Sequence, residues 1–139
     1  MTTQGKAIKT TNTSVHVDDE GIIHIIMNDN SHIEYEETVQ QFEFCAANCE
    51  MGRCIILVDS GKFSTISKEA REFSNRKESV DLSYAQAVVV HNIAQRIIIN
   101  FLKTFYNNKG PLEKMKVFTD RAKAYQWLLE KKKELNNSI

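Results

Sequence analysis

Cys54-Ile55-Ile56-Leu57-Val58-Asp59-Ser60-Gly61 decides how this 139-residue chain folds. Five apolar residues without polar alternation fit a strand covered on both faces, and the Asp-Ser-Gly that follows is turn chemistry. Such a strand needs paired neighbours and a layer on each side. Downstream, Ala85 to His91 repeats the pattern. A helix is expected from Ile93 to about Asn107, stopped by Asn108-Lys109-Gly110-Pro111, then a strand from Lys114 to Phe118 and a last helix from Asp120 to about Glu134. Thr119 or Asp120 caps that helix, Ala124, Trp127 and Leu128 give it an apolar face, and Lys131 to Lys133 suit the negative end of its dipole.

Upstream, Thr13 to Val17 and Ile22 to Met27 flank Asp18-Asp19-Glu20-Gly21 and read as a hairpin. Tyr35, Val39, Phe42, Ala46 and Cys49 then recur at three- and four-residue steps behind the acidic turn Glu34, Glu36 and Glu37, predicting an amphipathic helix that ends near Gly52. Ser67 precedes Lys68 to Phe73 as an N-cap before a short charged helix. A hairpin followed by α-β-α-β-α predicts an α/β fold: a mixed sheet with an N-terminal antiparallel hairpin and parallel later strands, flanked by about four helices. We expect residues 1–12 to be a flexible N-terminal segment and 13–139 a single domain.

Composition narrows the function classes. Eighteen Lys and Arg balance eighteen Asp and Glu, so no global field draws the chain to nucleic acid or an anionic membrane. No apolar run approaches the ~20 residues of a membrane span, and Met1 to Asn12 lacks the apolar core of a signal peptide, which predicts a cytoplasmic protein. Cys45, Cys49 and Cys54 are expected to be buried thiols, with no structural disulfide or zinc site, because the fourth ligand of a tetrahedral site is lacking. No cofactor or metal is expected, and no GxSxG, Walker, GxGxxG or HExxH motif supports an enzyme.

Ligands of open α/β sheets gather beyond the carboxyl ends of parallel strands, which singles out Asp59, Ser60, His91, Asn92 and Asp120. The order of elements, with Asp19-Glu20-Gly21-Ile22, Ile56 to Gly61, Ile66 to Glu72, Val117-Phe118-Thr119-Asp120, Ala124 and Trp127-Leu128, resembles the small bacterial SpoIIAA-like domains of the STAS class (sulfate transporter and anti-sigma factor antagonist). That grouping is often compared with the Sec14 lipid-binding fold. The resemblance spans most of the chain and implies a non-enzymatic module that acts through a regulatory protein partner. In anti-sigma factor antagonists a serine after a central strand is phosphorylated, and Asp59-Ser60-Gly61 is similar to that signature with its second hydroxyl residue absent. Ser60, Ser64, Thr65 and Ser67 are therefore the candidate phosphorylation or anion sites. The plainer alternative is a cap at Ser67 within a hydroxyl-rich loop.

Other constellations point elsewhere. Asp59, Lys62 and Glu37 form a loose acid, acid, lysine set, and His91 is the best-placed imidazole for proton transfer, ahead of His16 and His24. On the helix from Ile93, Ala94, Ile97, Ile98, Phe101, Leu102 and Phe105 form a stripe, while Ile99 and Tyr106 widen the apolar arc. With Phe44, placed opposite the stripe of the first helix, they predict a partner surface and a homodimer. The rival expectation, which the Sec14 comparison implies, is a carrier or sensor of a small lipid-like ligand under the Ile93–Tyr106 helix. A carrier should hold an apolar pocket of roughly 300 Å³ or more. An enzyme should bring His91 within hydrogen-bond reach of a carboxylate inside a cleft.

Overall fold

The computed structural model describes residues 6–49, 52–92 and 114–137. Three antiparallel strands open the chain, β1 (Ala7–Lys9), β2 (Thr13–Val17) and β3 (Ile23–Met27), followed by β4 (His32–Ile33) and helix α1 (Tyr35–Asn48). Then come β5 (Cys54–Asp59), β6 (Thr65–Ile66), helices α2 (Lys68–Ser74) and α3 (Lys77–Leu82), β7 (Ser83–Val89), β8 (Met115–Phe118) and helix α4 (Arg121–Asn137). One six-stranded sheet runs β1-β2-β3-β5-β7-β8, parallel from β3 onward, and β4 and β6 make a small parallel pair. This is the expected mixed α/β sheet flanked by helices. It begins at Ala7, inside the stretch read from sequence as a flexible segment, because β1 pairs with β2.

The apolar run behaves as its composition requires. β5 lies between β3 and β7, so neither edge meets water, and its side chains alternate between two cores. Ile56 and Val58 join Ile25, Met27, Val88, Phe44 and Cys45 on one face. Ile55 and Leu57 join Ile22, Ala85, Ala87, Val89 and, from α4, Ala124 and Leu128 on the other. The alanines of β7 let α4 approach closely, and Leu57 is fully buried, a contribution of about 2 kcal/mol. Asp120 Oδ1 accepts from the backbone of Ala122 (2.8 Å) and Lys123 (3.3 Å), and Ser67 Oγ accepts from Ala70 N (3.1 Å), so both act as caps.

Three expectations need correction. Helix α1 buries Glu37, Thr38, Gln41, Phe44 and Cys45, a face turned away from the predicted stripe, so Phe44 belongs to the core and is not a partner surface. Tyr35 and Phe42 instead meet the Phe73 ring of α2 edge-on. Hydrophobic periodicity placed the helix but not its buried face, because that face includes buried polar residues. Second, Cys49 and Cys54 pair as a disulfide, their Cα atoms 5.0 Å apart. Cys49 sits past the helix end in extended backbone, facing the start of β5, not on a helical turn with Cys45. Third, α3 was not anticipated. Ile99 and Tyr106, with the helix expected from Ile93, lie outside the described residues. No helix among the described residues is long and apolar enough to cross a membrane.

Candidate functional site

Two features concentrate polar chemistry: the carboxyl-terminal edge of the sheet and a cavity beneath α1, α2 and α3. At the edge, parallel pairing sets Asp59 beside Val89, which brings His91 close by. His91 Nε2 lies 2.5 Å from Asp59 Oδ1, and that oxygen also accepts from Gly61 N at 3.1 Å. Arg121, in the first turn of α4, donates to Asp59 Oδ2 (3.4 Å) and to His24 Nδ1 (3.2 Å). A guanidinium can only donate, so His24 Nδ1 holds a lone pair and its proton sits on Nε2, which points at Asp18 Oδ2 at 2.8 Å. Tyr125, one helical turn beyond Arg121, donates its hydroxyl to the same Asp18 oxygen (2.7 Å).

The network sorts its own charges. Burial alone would raise the Asp18 carboxyl, but hydrogen bonds from His24, Tyr125 and the Ile22 and Glu20 backbone hold it below its ordinary value. Burial, followed by the hydrogen bond to Asp18, pushes Tyr125 up to about 12. His16 stacks on His24 with ring centres 4.6 Å apart, and burial, then the neighbouring His24, lowers its pKa. Among the described residues no group of three His, Cys, Asp or Glu side chains is arranged to hold a metal ion.

The second feature is a cavity of about 390 Å³ between the β3–β5–β7 face of the sheet and the three helices. Ile25, Ile56, Val58 and Val88 form its floor, with Phe42 and Phe73 on the helical side. Cys45 also lines it, and burial pushes that thiol up to about 12, so it serves as apolar wall and not as a thiolate. Polar groups enter from Ser60, Ser64 and Thr65 at one end, from Ser83 and Lys114 at the starts of β7 and β8, and from Gln86 in the middle of β7. Neither Asp59 nor His91 lines the cavity.

Residues 15–132 match the family described as Domain of unknown function (DUF7793). The chain belongs to the DUF7793 family. No curated protein matches it. Among solved structures, the DUF7793 chain is similar to an uncharacterised protein of the DUF3478 family with a SpoIIAA-like fold from Shewanella loihica PV-4. The two share 14% identity at a TM-score of 0.56 over 88% of this chain and 90% of that one. The fold is therefore SpoIIAA-like, as the sequence resemblance implies.

The candidate residues divide between the two features of this DUF7793 domain. Asp59 and His91 meet, as an enzyme reading asks, but on the rim and outside the cavity. Asp120 caps α4. Ser60 is buried and donates to the Val89 carbonyl (2.8 Å), Ser64 Oγ contacts the Ser60 carbonyl, and Thr65 Oγ1 lies 2.6 Å from His32 Nδ1. Asn92 follows His91 in the same turn region, its side-chain amide nitrogen buried. Arg121, Tyr125 and Asp18 escaped the sequence reading. The signals were there: Arg121 and Tyr125 stand four apart on one helix face, and His24 interrupts the apolar strand Ile22 to Met27.

Proposed function

We propose that this domain is a non-enzymatic module that binds a small lipid-like molecule. One observation carries the reading: the cavity of about 390 Å³, apolar on its floor and polar at its ends, falls within the usual range of ligand sites. The cavity is partly open to solvent, and exposed apolar surface in a concave setting marks ligand-binding grooves. The cavity lies beneath α1, α2 and α3. Native mass spectrometry of the purified protein, before and after extraction with organic solvent, tests the proposal. An adduct lost on extraction and restored by adding a medium-chain amphiphile is expected; an apo mass throughout, with no saturable binding, overturns it.

A second reading is association with a regulatory protein partner. Its support is Phe63, 67% exposed and held at φ 60° in the loop that also carries Ser60, Ser64 and Thr65. A bulky residue in left-handed backbone, with its ring in water, is uncommon away from binding loops. Chemical cross-linking in cells, with Phe63→Ser as the control, tests this reading. Cross-links lost in the variant favour a partner at this loop, and an unchanged pattern removes its support.

A further inference from the structure

We infer that the cavity takes a single-chain carboxylate, with the carboxylate held by Lys114 and Ser83 and the acyl chain lying along β5 and β7. The inference rests on the binding-module reading and adds the chemical class of the ligand.

Charge comes first. Lys114 and Arg71 both line the cavity, while no Asp or Glu among the described residues does. Cationic lining without a carboxylate favours an anionic occupant, because a charge-assisted hydrogen bond from an ammonium is stronger than one to a neutral oxygen. Lys114 stands just before β8, and its Nζ donates to the Val80 carbonyl at 3.2 Å, which brings the ammonium to the end where β7 starts. A lysine ammonium has three protons, so this contact leaves donors for a second oxygen.

Ser83 is the independent sign of a missing partner. It is 8% exposed, lines the cavity, and its Oγ has no hydrogen-bond partner among the described residues. Simple alternation from Ala85 and Ala87, which face α4, would turn Ser83 toward that helix as well. The pairing of β5 with β7 slips between Cys54 and Ile55, and the irregularity re-aims Ser83 into the cavity. Buried hydroxyls are nearly always hydrogen-bonded, so a sheet irregularity that aims one at an apolar slot beside a lysine marks a place for an acceptor. Beyond it Ile56 and Val58 on β5 and Val88 on β7 form an apolar track, with Gln86 of β7 beside Ile56. From Ser83 to Val88 the strand spans about 17 Å, room for an extended acyl chain.

A carboxylate ionised at neutral pH meets each requirement: a monoanion for the ammonium, an acceptor for the Ser83 hydroxyl and a chain for the track. Isothermal titration with decanoate and 1-decanol separates this inference from the reading beneath it. The wild-type protein is expected to bind decanoate at least tenfold more tightly than decanol. Lys114→Gln should erase that preference by weakening decanoate alone, Lys114→Arg should keep it, and Ser83→Ala should weaken decanoate severalfold without weakening decanol. Should Lys114→Gln fail to fold, Ser83→Ala decides. Equal affinities in the wild type, or a preference untouched by Lys114→Gln and Ser83→Ala, overturn the carboxylate assignment while the binding module stands. Binding of neither compound overturns both.

Discussion

Asn12 and Glu37 lock helix α1 to the start of the sheet: the Asn12 backbone N–H donates to Glu37 Oε2 and its side-chain Nδ2 to Oε1, each at 2.8 Å. Thr10 Oγ1 adds a third donor to Oε2 at 2.7 Å. Glu37 is buried, so Glu37→Ala strands three donors and should cost about 3 kcal/mol of stability, read as a lower urea midpoint. Glu37→Gln, which keeps one acceptor oxygen, should cost less.

The same contacts set the acid response. Burial would raise Glu37, but the donors from Thr10 and Asn12 and the first-turn backbone hold it below the ordinary 4.5, and Asp18 is likewise depressed from 3.8. A depressed carboxyl favours the ionised fold, so its contribution is complete above the ordinary value and is lost as pH falls through the folded one. Urea midpoints are expected to hold between pH 7 and 5 and to drop below about pH 4. Glu37→Gln should flatten that drop, and an identical acid profile in the variant would contradict the argument.

Gly61 ties the serine loop to the sheet. Its φ is +66°, and a Cβ there would sit 2.6 Å from the Met27 carbonyl oxygen and 3.0 Å from that of Asn28. Neither backbone atom can yield without moving the end of β3. Gly61→Ala should therefore cost about 2 kcal/mol or more, since left-handed strain and the collision add. A melting temperature equal to wild type would show that the loop rearranges freely.

Legibility in the sequence followed the chemistry of each element. The run from Cys54 to Val58 announced a central strand because burial on both faces leaves no polar position, and Ala124 with Leu128 announced the inner face of α4. Helix α1 misled because Glu37, Thr38 and Gln41 are its buried positions: Glu37 and Gln41 find partners 25 and 28 residues away and Thr38 bonds carbonyls of its own first turn, none of which leaves an apolar periodicity. Asp59 and His91 were each singled out, but their contact depends on the parallel register of β5 with β7, which no local pattern encodes. The cavity was least legible. Its lining comes from many separate elements, and Ser83 reaches it only through an irregularity in strand pairing.

The three cysteines should differ in reactivity. Cys49 and Cys54 are paired across the α1–β5 turn, and Cys45 is buried with its thiol pushed up to about 12. Protein purified without reductant should resist alkylation at pH 7 and weigh two hydrogens less than after reduction. Denaturation without reductant should expose one reactive thiol, Cys45. Three thiols alkylated in that unreduced, denatured sample would mean that the pair does not form in solution.

Tyr125 offers the most direct check on the edge network. Its phenol, partly buried and donating to Asp18, is raised to about 12, so the fold favours the neutral form. That contribution is full below the ordinary 10.0 and is lost as pH rises through the folded value. Ultraviolet titration of the native protein should show one phenol ionising late, and Tyr125→Phe should remove that phase. Asp18→Asn separates the causes: it takes away the carboxylate that opposes a phenolate while leaving the site partly buried. Its late phase should move down yet stay above 10.0, because burial is the larger cause. A phase unmoved by Asp18→Asn would mean that the 2.7 Å contact does not persist in solution, and with it the link between α4 and the β2–β3 turn.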